Sequence, residues 1–262
     1  MDFIRKLPAN KVGKDYIVGD LHGCYDHLMA ALTAIGFDYE VDRLFSVGDL
    51  IDRGSQNAEC LHLLTEDWFF AVRGNHEMMM YYSAMYWEQE RIWLRNGGDW
   101  ATQFPQGTID VWRHKIKDLP GIIIVGTGKK RFNILHAEPE FSWGTKKISN
   151  KTLEETTGPE DENPERSLYW GRQFIRHPDT NPNMDKLSRT YVGHTTTKQL
   201  VHVGPIYYLD RGAVFENETH PTHCLAIACH TDGVVHEYYN HMGELRTVIM
   251  SDIPDVLTFV KQ

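Results

Sequence analysis

The sequence predicts an α/β protein in which central mixed β-sheets are flanked by helices. Two observations support this fold class. In the first third of the chain, three short apolar runs each end at a polar cluster next to glycine, and a segment with helical spacing follows each cluster. The last third carries several short, strand-like apolar segments. Strand-loop-helix units build parallel sheets that bind ligands beyond the carboxyl ends of their strands, so we expect the active site there.

The elements follow in order along the chain. The strands predicted in the three units cover residues 16–18, 44–47 and 69–72. The helices predicted after them cover residues 27–35, 55–64 and 77–87, with Ser55 as the N-cap of the second. A further helical region at 91–118 is interrupted by Asn96-Gly97-Gly98. Later strands are predicted at 122–125, 132–135, 190–192, 206–209, 224–228 and 233–239.

Residues 137–166 differ from the rest of the chain. They hold prolines, glycines and many charges but show no hydrophobic periodicity. A connection of this length without structure is unusual inside a compact domain, so we interpret it as a loop insertion, either a lid or a flexible segment, that borders the substrate groove. We expect residues 1–262 to form a single domain, with the catalytic motifs within about 15–240.

Composition narrows the class of protein. Hydrophobic residues make up 41% and charged residues 24% of the 262 residues, as in ordinary folded proteins. The net charge of −9 argues against a nucleic-acid partner, because binding to a phosphodiester backbone depends on clustered Lys and Arg. No segment approaches the roughly 18 apolar residues of a membrane span, and the four cysteines form no Cys-x-x-Cys pair. We therefore expect a cytoplasmic protein without a membrane span or a disulfide framework.

The polar clusters at the predicted strand ends combine carboxylates, imidazoles and an amide. They comprise Asp20, His22, Asp49, Asp52, Arg53, Asn75, His76, His136 and His194. Residues at i and i+2 of an extended segment share a face, so Asp20 and His22 can bind the same ion. This ligand mixture suits Mn²⁺, Fe or Zn²⁺ better than an all-oxygen Ca²⁺ or Mg²⁺ site. Because one ion cannot use so many ligands, we expect two ions roughly 3.5–4 Å apart that share a carboxylate, which suits displacement at phosphorus.

Three of the clusters lie in the motifs Gly19-Asp20-Leu21-His22-Gly23, Gly48-Asp49-Leu50-Ile51-Asp52-Arg53-Gly54 and Gly74-Asn75-His76-Glu77. In this order they resemble the signature motifs of the phosphoprotein phosphatase family of metallophosphoesterases, and His136 and His194 match its fourth and fifth elements. Eukaryotic members usually follow the fourth-motif histidine with two glycines. Ala137-Glu138-Pro139 and Asn96-Gly97-Gly98 instead look like the bacteriophage lambda type of phosphatase. The resemblance implies a metallophosphoesterase-like layered fold.

The resemblance also implies which residues bind metal. One ion would be held by Asp20, His22 and Asp49, and the other by Asp49, Asn75, His136 and His194, with Asp49 as the bridge. We expect two divalent ions, with Mn²⁺ as the first choice and Fe or Zn²⁺ as alternatives. A hydroxide shared by two such ions is available near neutral pH and would attack phosphorus.

The remaining motif residues are implied to act on the substrate. Arg53 and Arg172, together with Asn75, would hold the phosphate oxygens, a task that suits the planar guanidinium group. His76 would protonate the departing alkoxide, and Asp52 would fix the orientation and tautomer of His76.

Three functions are compatible with this reading. The first is a serine/threonine protein phosphatase acting on phosphorylated proteins or peptides, with phosphotyrosine as a further candidate substrate. The second is a dinucleoside polyphosphate hydrolase, since relatives with that activity share the metal site. In those relatives the position of Asp52 is often not acidic, which favours protein substrates here. The third, from another class, is an inactive module that binds phosphoproteins.

Two other segments invite functional interpretations but favour structural ones. His220-Pro221-Thr222-His223-Cys224 has no matching second half of a metal site, so we interpret it as a loop entering a strand. The Met- and aromatic-rich stretch 78–87 is apolar on all sides of a helix, which is typical of burial.

Overall fold

Two six-stranded sheets and a two-stranded ribbon form the framework of the protein in a computed structural model, which describes residues 2–139, 147–156 and 168–256. The strands are β1 (Ile4–Leu7), β2 (Asp15–Val18), β3 (Arg43–Ser46), β4 (Phe69–Ala71), β5 (Ile122–Val125), β6 (Phe132–Leu135), β7 (Lys147–Ser149), β8 (Asn183–Lys186), β9 (Thr190–Val192), β10 (Val201–Val203), β11 (Ile206–Tyr208), β12 (Leu225–Cys229), β13 (Val234–Tyr239) and β14 (Glu244–Ile249). The α-helices are α1 (Tyr25–Ile35), α2 (Asn57–His62), α3 (Asn75–Tyr82), α4 (Trp87–Arg95), α5 (Gln106–Lys117), α6 (Asn150–Glu154) and α7 (Gln173–Arg176).

Both large sheets are mixed. The first has the strand order β14-β13-β12-β2-β3-β4, in which β2, β3 and β4 are parallel and β12, β13 and β14 pair antiparallel. The second has the order β1-β5-β6-β9-β11-β10, in which β6, β9 and β11 are parallel. The parallel strands of each sheet end in the polar motifs, so the topology confirms the predicted α/β fold of mixed sheets flanked by helices.

Three apolar clusters hold the layers together. Ile17 and Phe45 of the first sheet pack with Ile123 and Ile134 of the second, which forms the core between the sheets. On the outer face of the first sheet, apolar residues pack against α1 to α5. On the outer face of the second sheet, they pack against α6 and α7. Strands covered on both faces read as continuous apolar runs, which is why they are visible in the sequence.

The strands absent from the sequence prediction are β1, β7, β8, β10 and β14. Of these, β1, β10 and β14 lie at sheet edges. Exposed residues dominate β14, and two exposed charged residues, Arg5 and Lys6, occupy the middle of β1. Charged edge strands discourage pairing with other chains and lack an apolar signal. Prediction from the hydrophobic pattern therefore misses solvent-exposed strands.

Several helix boundaries differ from the prediction, and two of them lie beside contacts with other parts of the chain. The helix expected from Ser55 begins at Asn57, with Gln56 as its N-cap, and the Gln56 N–H donates to the Gly23 carbonyl in the neighbouring motif (3.0 Å). The helix expected over 77–87 divides into α3 and α4. Arg113 of α5 donates to the Met80 carbonyl (3.1 Å) at the end of α3, and such a contact leaves no trace in the local sequence.

The predicted loop insertion at 137–166 is partly regular structure. Its residues 147–154 form β7 and α6, and Ser149 caps α6 by accepting the Thr152 N–H (3.3 Å). Ile148 and Leu153 are buried in the outer cluster of the second sheet. The expectation of an unstructured segment is therefore wrong for residues 147–154. Sequence analysis missed this structure because two buried apolar side chains are too few to show a hydrophobic periodicity. Residues 140–146 and 157–167 lie outside the described part of the chain.

The remaining predictions have mixed outcomes. His220-Pro221-Thr222-His223-Cys224 is a loop that leads into β12, as expected, and all four cysteines are free thiols. Within stretch 78–87, Met78 to Met80 are buried, but Tyr86 and Trp87 are 58% and 64% exposed, so burial was predicted wrongly for its second half. Across the described ranges, no helix has the length and apolar character to cross a bilayer.

Candidate metal centre and active site

The polar motifs of both sheets meet at the carboxyl ends of their parallel strands. The N–H groups of Leu21 and His22, after β2, both donate to the Asp49 carbonyl after β3 (3.1 and 2.9 Å). The Gly193 N–H, after β9, donates to the His136 carbonyl after β6 (2.8 Å). These loop-to-loop bonds place the predicted site residues of four strand ends beside one another.

Asp49 lies at the centre of the site. One carboxylate oxygen, Oδ2, is 3.6 Å from His22 Nε2, and the other, Oδ1, is 3.4 Å from His136 Nε2. Two groups of side chains that can hold a metal ion share Asp49: one is His22, Asp49 and His76, and the other is Asp49, His136 and His194. A carboxylate that faces two ligand groups has the position of a bridge.

The imidazole tautomers leave unprotonated nitrogens facing the centre. Nδ1 of His22 contacts the Ile51 carbonyl (2.8 Å) and Nδ1 of His136 contacts the Val47 carbonyl (2.9 Å). Because a carbonyl only accepts, both Nδ1 atoms carry the proton and both Nε2 atoms carry a lone pair. Burial lowers the pKa of His22 to about 3 and also lowers that of His136, so both rings stay neutral.

Beside His136, acceptor atoms therefore face one another without a proton between them. His136 Nε2 is 2.8 Å from the side-chain oxygen of Asn75, and Asp49 Oδ1 lies 3.4 Å from the same nitrogen. His194 Nδ1 is 2.9 Å from the same Asn75 oxygen, and its buried Nε2 has no partner within the described ranges. Lone pairs that converge in this way repel unless a cation lies among them, so these donors fit metal ions.

Asp20 approaches the site from the other side. Its carboxylate accepts the His194 N–H at 3.0 and 3.2 Å, and it is buried. Burial, followed by the nearby charges of Asp210 and Asp49, raises the pKa of Asp20 well above its usual range. The two groups of closely spaced ligand atoms contain His76 and not Asp20, although Asp20 was predicted as a ligand of the first ion. Like-charged carboxylates buried together are stabilised by a cation.

His76 is instead engaged by Asp52 and Arg53. Its Nδ1 is 2.6 Å from Asp52 Oδ2, and its Nε2 is 2.9 Å from Arg53 Nη2. Burial pulls down the pKa of His76, whereas the carboxylates of Asp49 and Asp52 raise it, and the balance lies above the ordinary value. An imidazole with one nitrogen fixed by a buried carboxylate and the other facing the site can donate or accept a proton.

The two predicted phosphate-binding arginines reach the site from different elements. Arg53 is exposed, and its Nη1 lies 2.5 Å from His22 Nε2. Arg172 lies at the start of α7 and donates from Nη2 to the His194 carbonyl (3.4 Å), while its buried Nε has no partner within the described ranges. The structure thus brings both guanidinium groups to the rim of the metal-ligand cluster.

Backbone strain concentrates here. The described non-glycine residues with positive φ are His22 (46°), Asp49 (51°), Asp52 (75°), Arg53 (70°) and His194 (64°). Left-handed backbone at such residues costs of order 1–3 kcal/mol each and persists only where surrounding contacts enforce it. Gly193 is needed for a related reason, because a Cβ at this position would overlap the Asp20 carboxylate.

Sequence reasoning assigned no role to two further buried carboxylates. Glu77 accepts the N–H groups of Asp49 (2.9 Å), Leu50 (2.8 Å) and Gly74 (2.7 Å), which ties the loops after β3 and β4 together. Asp210 follows β11 and accepts the Thr196 hydroxyl (2.6 Å). A Glu three residues after a helix-preceding glycine is a capping signal that could have identified Glu77. The position of Asp210 after a strand and before Gly212 was the corresponding signal.

Comparison with known proteins identifies the family. Residues 16–216 match the model of the calcineurin-like phosphoesterase family. Serine/threonine-protein phosphatase 1 of Salmonella typhimurium is 33% identical over 220 residues, which cover 82% of this chain and 93% of that protein. The chain belongs to the calcineurin-like phosphoesterase family, and the resemblance to phosphoprotein phosphatases is confirmed.

Other relatives differ in the activity that their names state. The symmetrical bis(5'-nucleosyl)-tetraphosphatase of Pasteurella multocida is 32% identical over 132 residues, which cover 49% of this chain and 45% of that protein. Among solved structures, a protein serine/threonine phosphatase from Saccharomyces cerevisiae superposes with a TM-score of 0.57 at 16% identity, covering 94% of this chain and 83% of that chain. The structural likeness establishes the layered fold.

Proposed function

We propose that this chain is a serine/threonine protein phosphatase that hydrolyses phosphomonoesters on protein or peptide substrates. Asp20, His22 and Asp49 would hold one divalent cation, and Asp49, Asn75, His136 and His194 a second. Such ions supply Lewis acidity and make a hydroxide nucleophile available near neutral pH. The convergence of unprotonated nitrogens and carboxylates on Asp49 supports this assignment.

The observation that carries the proposal is the contact between His76 Nδ1 and Asp52 Oδ2 at 2.6 Å. A serine or threonine alkoxide is a poor leaving group, so its departure gains most from a general acid, which contributes about 10²–10⁴-fold. A nucleotide phosphate leaves readily without such help. A buried carboxylate that orients the imidazole is therefore expected in an enzyme for alkyl phosphates, and Asp52 fixes which nitrogen of His76 faces the site.

Phosphate binding is assigned to Arg53, Arg172 and Asn75. Arg53 touches both His22 and His76, so phosphate oxygens that draw its guanidinium would free His76 Nε2 for the leaving oxygen. Arg172 offers a buried Nε that lacks a partner among the described residues. Guanidinium groups bind phosphate oxygens in bidentate fashion, which would fix the ester for in-line attack.

The relatives support a protein substrate. The Salmonella typhimurium protein named as a serine/threonine phosphatase aligns over 93% of its length, whereas the Pasteurella multocida tetraphosphatase aligns over 45% of its length. Because substrate grooves are built largely by loops outside the metal motifs, the longer alignment is the more informative. The tetraphosphatase relatives keep dinucleoside polyphosphate hydrolysis as the second candidate function.

The proposal is tested by removing metal, restoring Mn²⁺ and comparing phosphate release from three substrates. These are a phosphoserine peptide, the same peptide with phosphotyrosine, and diadenosine tetraphosphate. We expect the phosphoserine peptide to have the highest kcat/KM. In His76→Asn, its turnover should fall by about 10²–10⁴-fold while metal content is unchanged.

Each other outcome would overturn part of the proposal. Preferential cleavage of diadenosine tetraphosphate would move the function to nucleotide hydrolysis at the same metal centre. Preference for phosphotyrosine would contradict the serine/threonine assignment. A metal-loaded protein that turns over none of the three but binds the phosphopeptide would instead be a binding module.

A further inference from the structure

The carboxylate of Asp52 receives three side-chain N–H donors in a site closed to solvent. His76 Nδ1 lies 2.6 Å from Oδ2, and Trp100 Nε1 donates to Oδ1 at 2.8 Å. Trp93 Nε1 donates to both oxygens, at 3.1 and 3.0 Å. Asp52 is 0% exposed, and both tryptophans are buried. The two indole donors have no part in the mechanism described so far.

The geometry of the two indoles fixes the orientation of the carboxylate. Their rings are 6.5 Å apart and nearly perpendicular, at 87°, so their N–H groups reach Asp52 from different directions. Oδ1 accepts from both indoles, and Oδ2 accepts from Trp93 and faces His76 Nδ1. Rotation of the carboxylate would break at least one indole bond inside a buried site, where an unsatisfied donor costs about 1–3 kcal/mol.

Neutral donors suit this task better than a cation would. An arginine or lysine beside Asp52 would hold the carboxylate but offset its charge, and the field that favours a protonated His76 would weaken. Indole N–H groups satisfy the lone pairs and leave the negative charge in place. The Trp93–Trp100 pair thus solvates a buried carboxylate without neutralising it.

The turn Asn96-Gly97-Gly98 brings the pair together. A Cβ at Gly98 would overlap the indole of Trp93, so glycine lets the chain fold flat against that ring. Gly97 has φ of +101°, and a Cβ there would lie 2.7 Å from the backbone nitrogen of Arg53. The Gly97 carbonyl accepts the Arg53 N–H at 3.4 Å. One turn therefore places Trp100 against Trp93 and ties both to the Asp52–Arg53 motif.

We propose that Trp93 and Trp100 are positioning residues that hold Asp52 so that it aims His76 at the leaving oxygen of the substrate. This inference rests on the proposed phosphomonoesterase mechanism, in which His76 is the general acid. It assigns a function to the segment from Trp93 to Trp100, including the two glycines of its turn.

The kinetic test compares Trp93→Phe and Trp100→Phe, which keep an aromatic ring and lose the N–H. Trp112→Phe is the matched control, because Trp112 packs in the same aromatic cluster, 5.5 Å from Trp100, without contributing to the donors of Asp52 described above. Phenyl phosphate needs protonation of its leaving group more than p-nitrophenyl phosphate does. We expect each Asp52-facing variant to lose about 10-fold or more in kcat on phenyl phosphate, several-fold less on p-nitrophenyl phosphate, and little in KM.

A spectroscopic readout keeps the inference independent of turnover. In ¹H–¹⁵N spectra, the indole resonances of Trp93 and Trp100 should shift in Asp52→Asn, and that of Trp112 should stay in place. The inference is overturned if the indole resonances of Trp93 and Trp100 do not shift in Asp52→Asn. It is also overturned if Trp93→Phe and Trp100→Phe lower kcat on both aryl phosphates by the same factor, as a purely structural role predicts. Failure of phosphopeptide turnover alone would remove the proposed protein substrate and leave the leaving-group effect and the indole shifts to decide.

Discussion

Buried charged residues have different surroundings at the two ends of the paired sheets. At the end where β2 begins, Asp15 is paired with Arg43 through two bonds of 2.8 and 3.0 Å, and His230 is neutral and bonded to the Tyr191 hydroxyl at 2.9 Å. At the carboxyl ends, buried carboxylates face other acceptors, and the left-handed residues collect around them.

The contrast shows where the fold depends on ligands. Paired groups at the amino end of β2 stabilise the sheets by themselves. The clustered acceptors at the carboxyl end suit a site that cations complete. Glu77 holds the strained loop of Asp49 in place by accepting the N–H groups of Asp49 and Leu50. The same sheets thus carry paired charges at one end and a candidate metal site at the other. Variants at the two ends should therefore separate catalysis from stability.

The largest effect is expected from Asp49→Asn, which removes the charge of the proposed shared ligand. We expect kcat/KM for p-nitrophenyl phosphate to fall by about 10³-fold or more, because both ion sites lose a ligand. Circular dichroism checks that the fold persists. Metal titration of the variant decides the role of Asp49: two sites of unchanged affinity would rule out the bridge.

A smaller loss is expected from Gly193→Ala, since its new Cβ would displace the Asp20 carboxylate. Misplacement of a site residue by about 1 Å can cost roughly 10²-fold in rate. Gly107→Ala, within α5, is the control, because a Cβ there meets no atom within 4 Å. It should leave kcat unchanged and raise stability by up to about 1 kcal/mol. Equal activity in the two variants would show that Asp20 tolerates displacement.

Metal removal is expected to lower the stability of the folded protein, and this effect should be smaller than the two losses of activity above. Mn²⁺ at about 100 times its Kd is expected to stabilise the folded protein by about 2.7 kcal/mol per site. Differential scanning calorimetry with and without chelator measures this as a fall in Tm. In Asp49→Asn the fall should be smaller. A Tm that chelation leaves unchanged in the native protein would contradict the idea that cations complete the carboxyl end.

The smallest effect concerns the opposite end. Burial, and then the charge of Arg189, lowers the pKa of His230 to about 4, and the ring stacks on Phe132 at 4.1 Å. An unfolded histidine titrates near 6.5, so between about pH 6.5 and 4 the unfolded state binds more protons and stability falls as pH falls. His230→Gln should reduce that fall by about 1–2 kcal/mol.

Urea unfolding at pH 7 and pH 4 measures this difference, and His114→Gln at an exposed position controls for loss of an imidazole. Activity at pH 7 should be unchanged in both variants, since neither residue contacts the metal-ligand cluster. An equal fall in stability for His230→Gln and the native protein would show that His230 does not resist protonation.

The local sequence pattern identified the site residues whose positions follow from the residues next to them in the sequence. Asp20, Asp49 and Asn75 each follow a buried strand and a glycine, and this pattern placed them together at the strand ends. It could not reveal Trp93 and Trp100 as donors to Asp52, because those contacts join residues 41 and 48 positions apart. Nor could it reveal the break after α3, where Arg113 of a later helix donates to the Met80 carbonyl.

The shared role of Asp49 is tested most directly by anomalous scattering from crystals of the Mn²⁺-loaded protein. We predict two peaks that flank the Asp49 carboxylate, one next to Asp20 and His22 and the other next to Asn75, His136 and His194. A single peak, or two peaks that do not share Asp49, would contradict a two-cation centre at the carboxyl ends of the sheets.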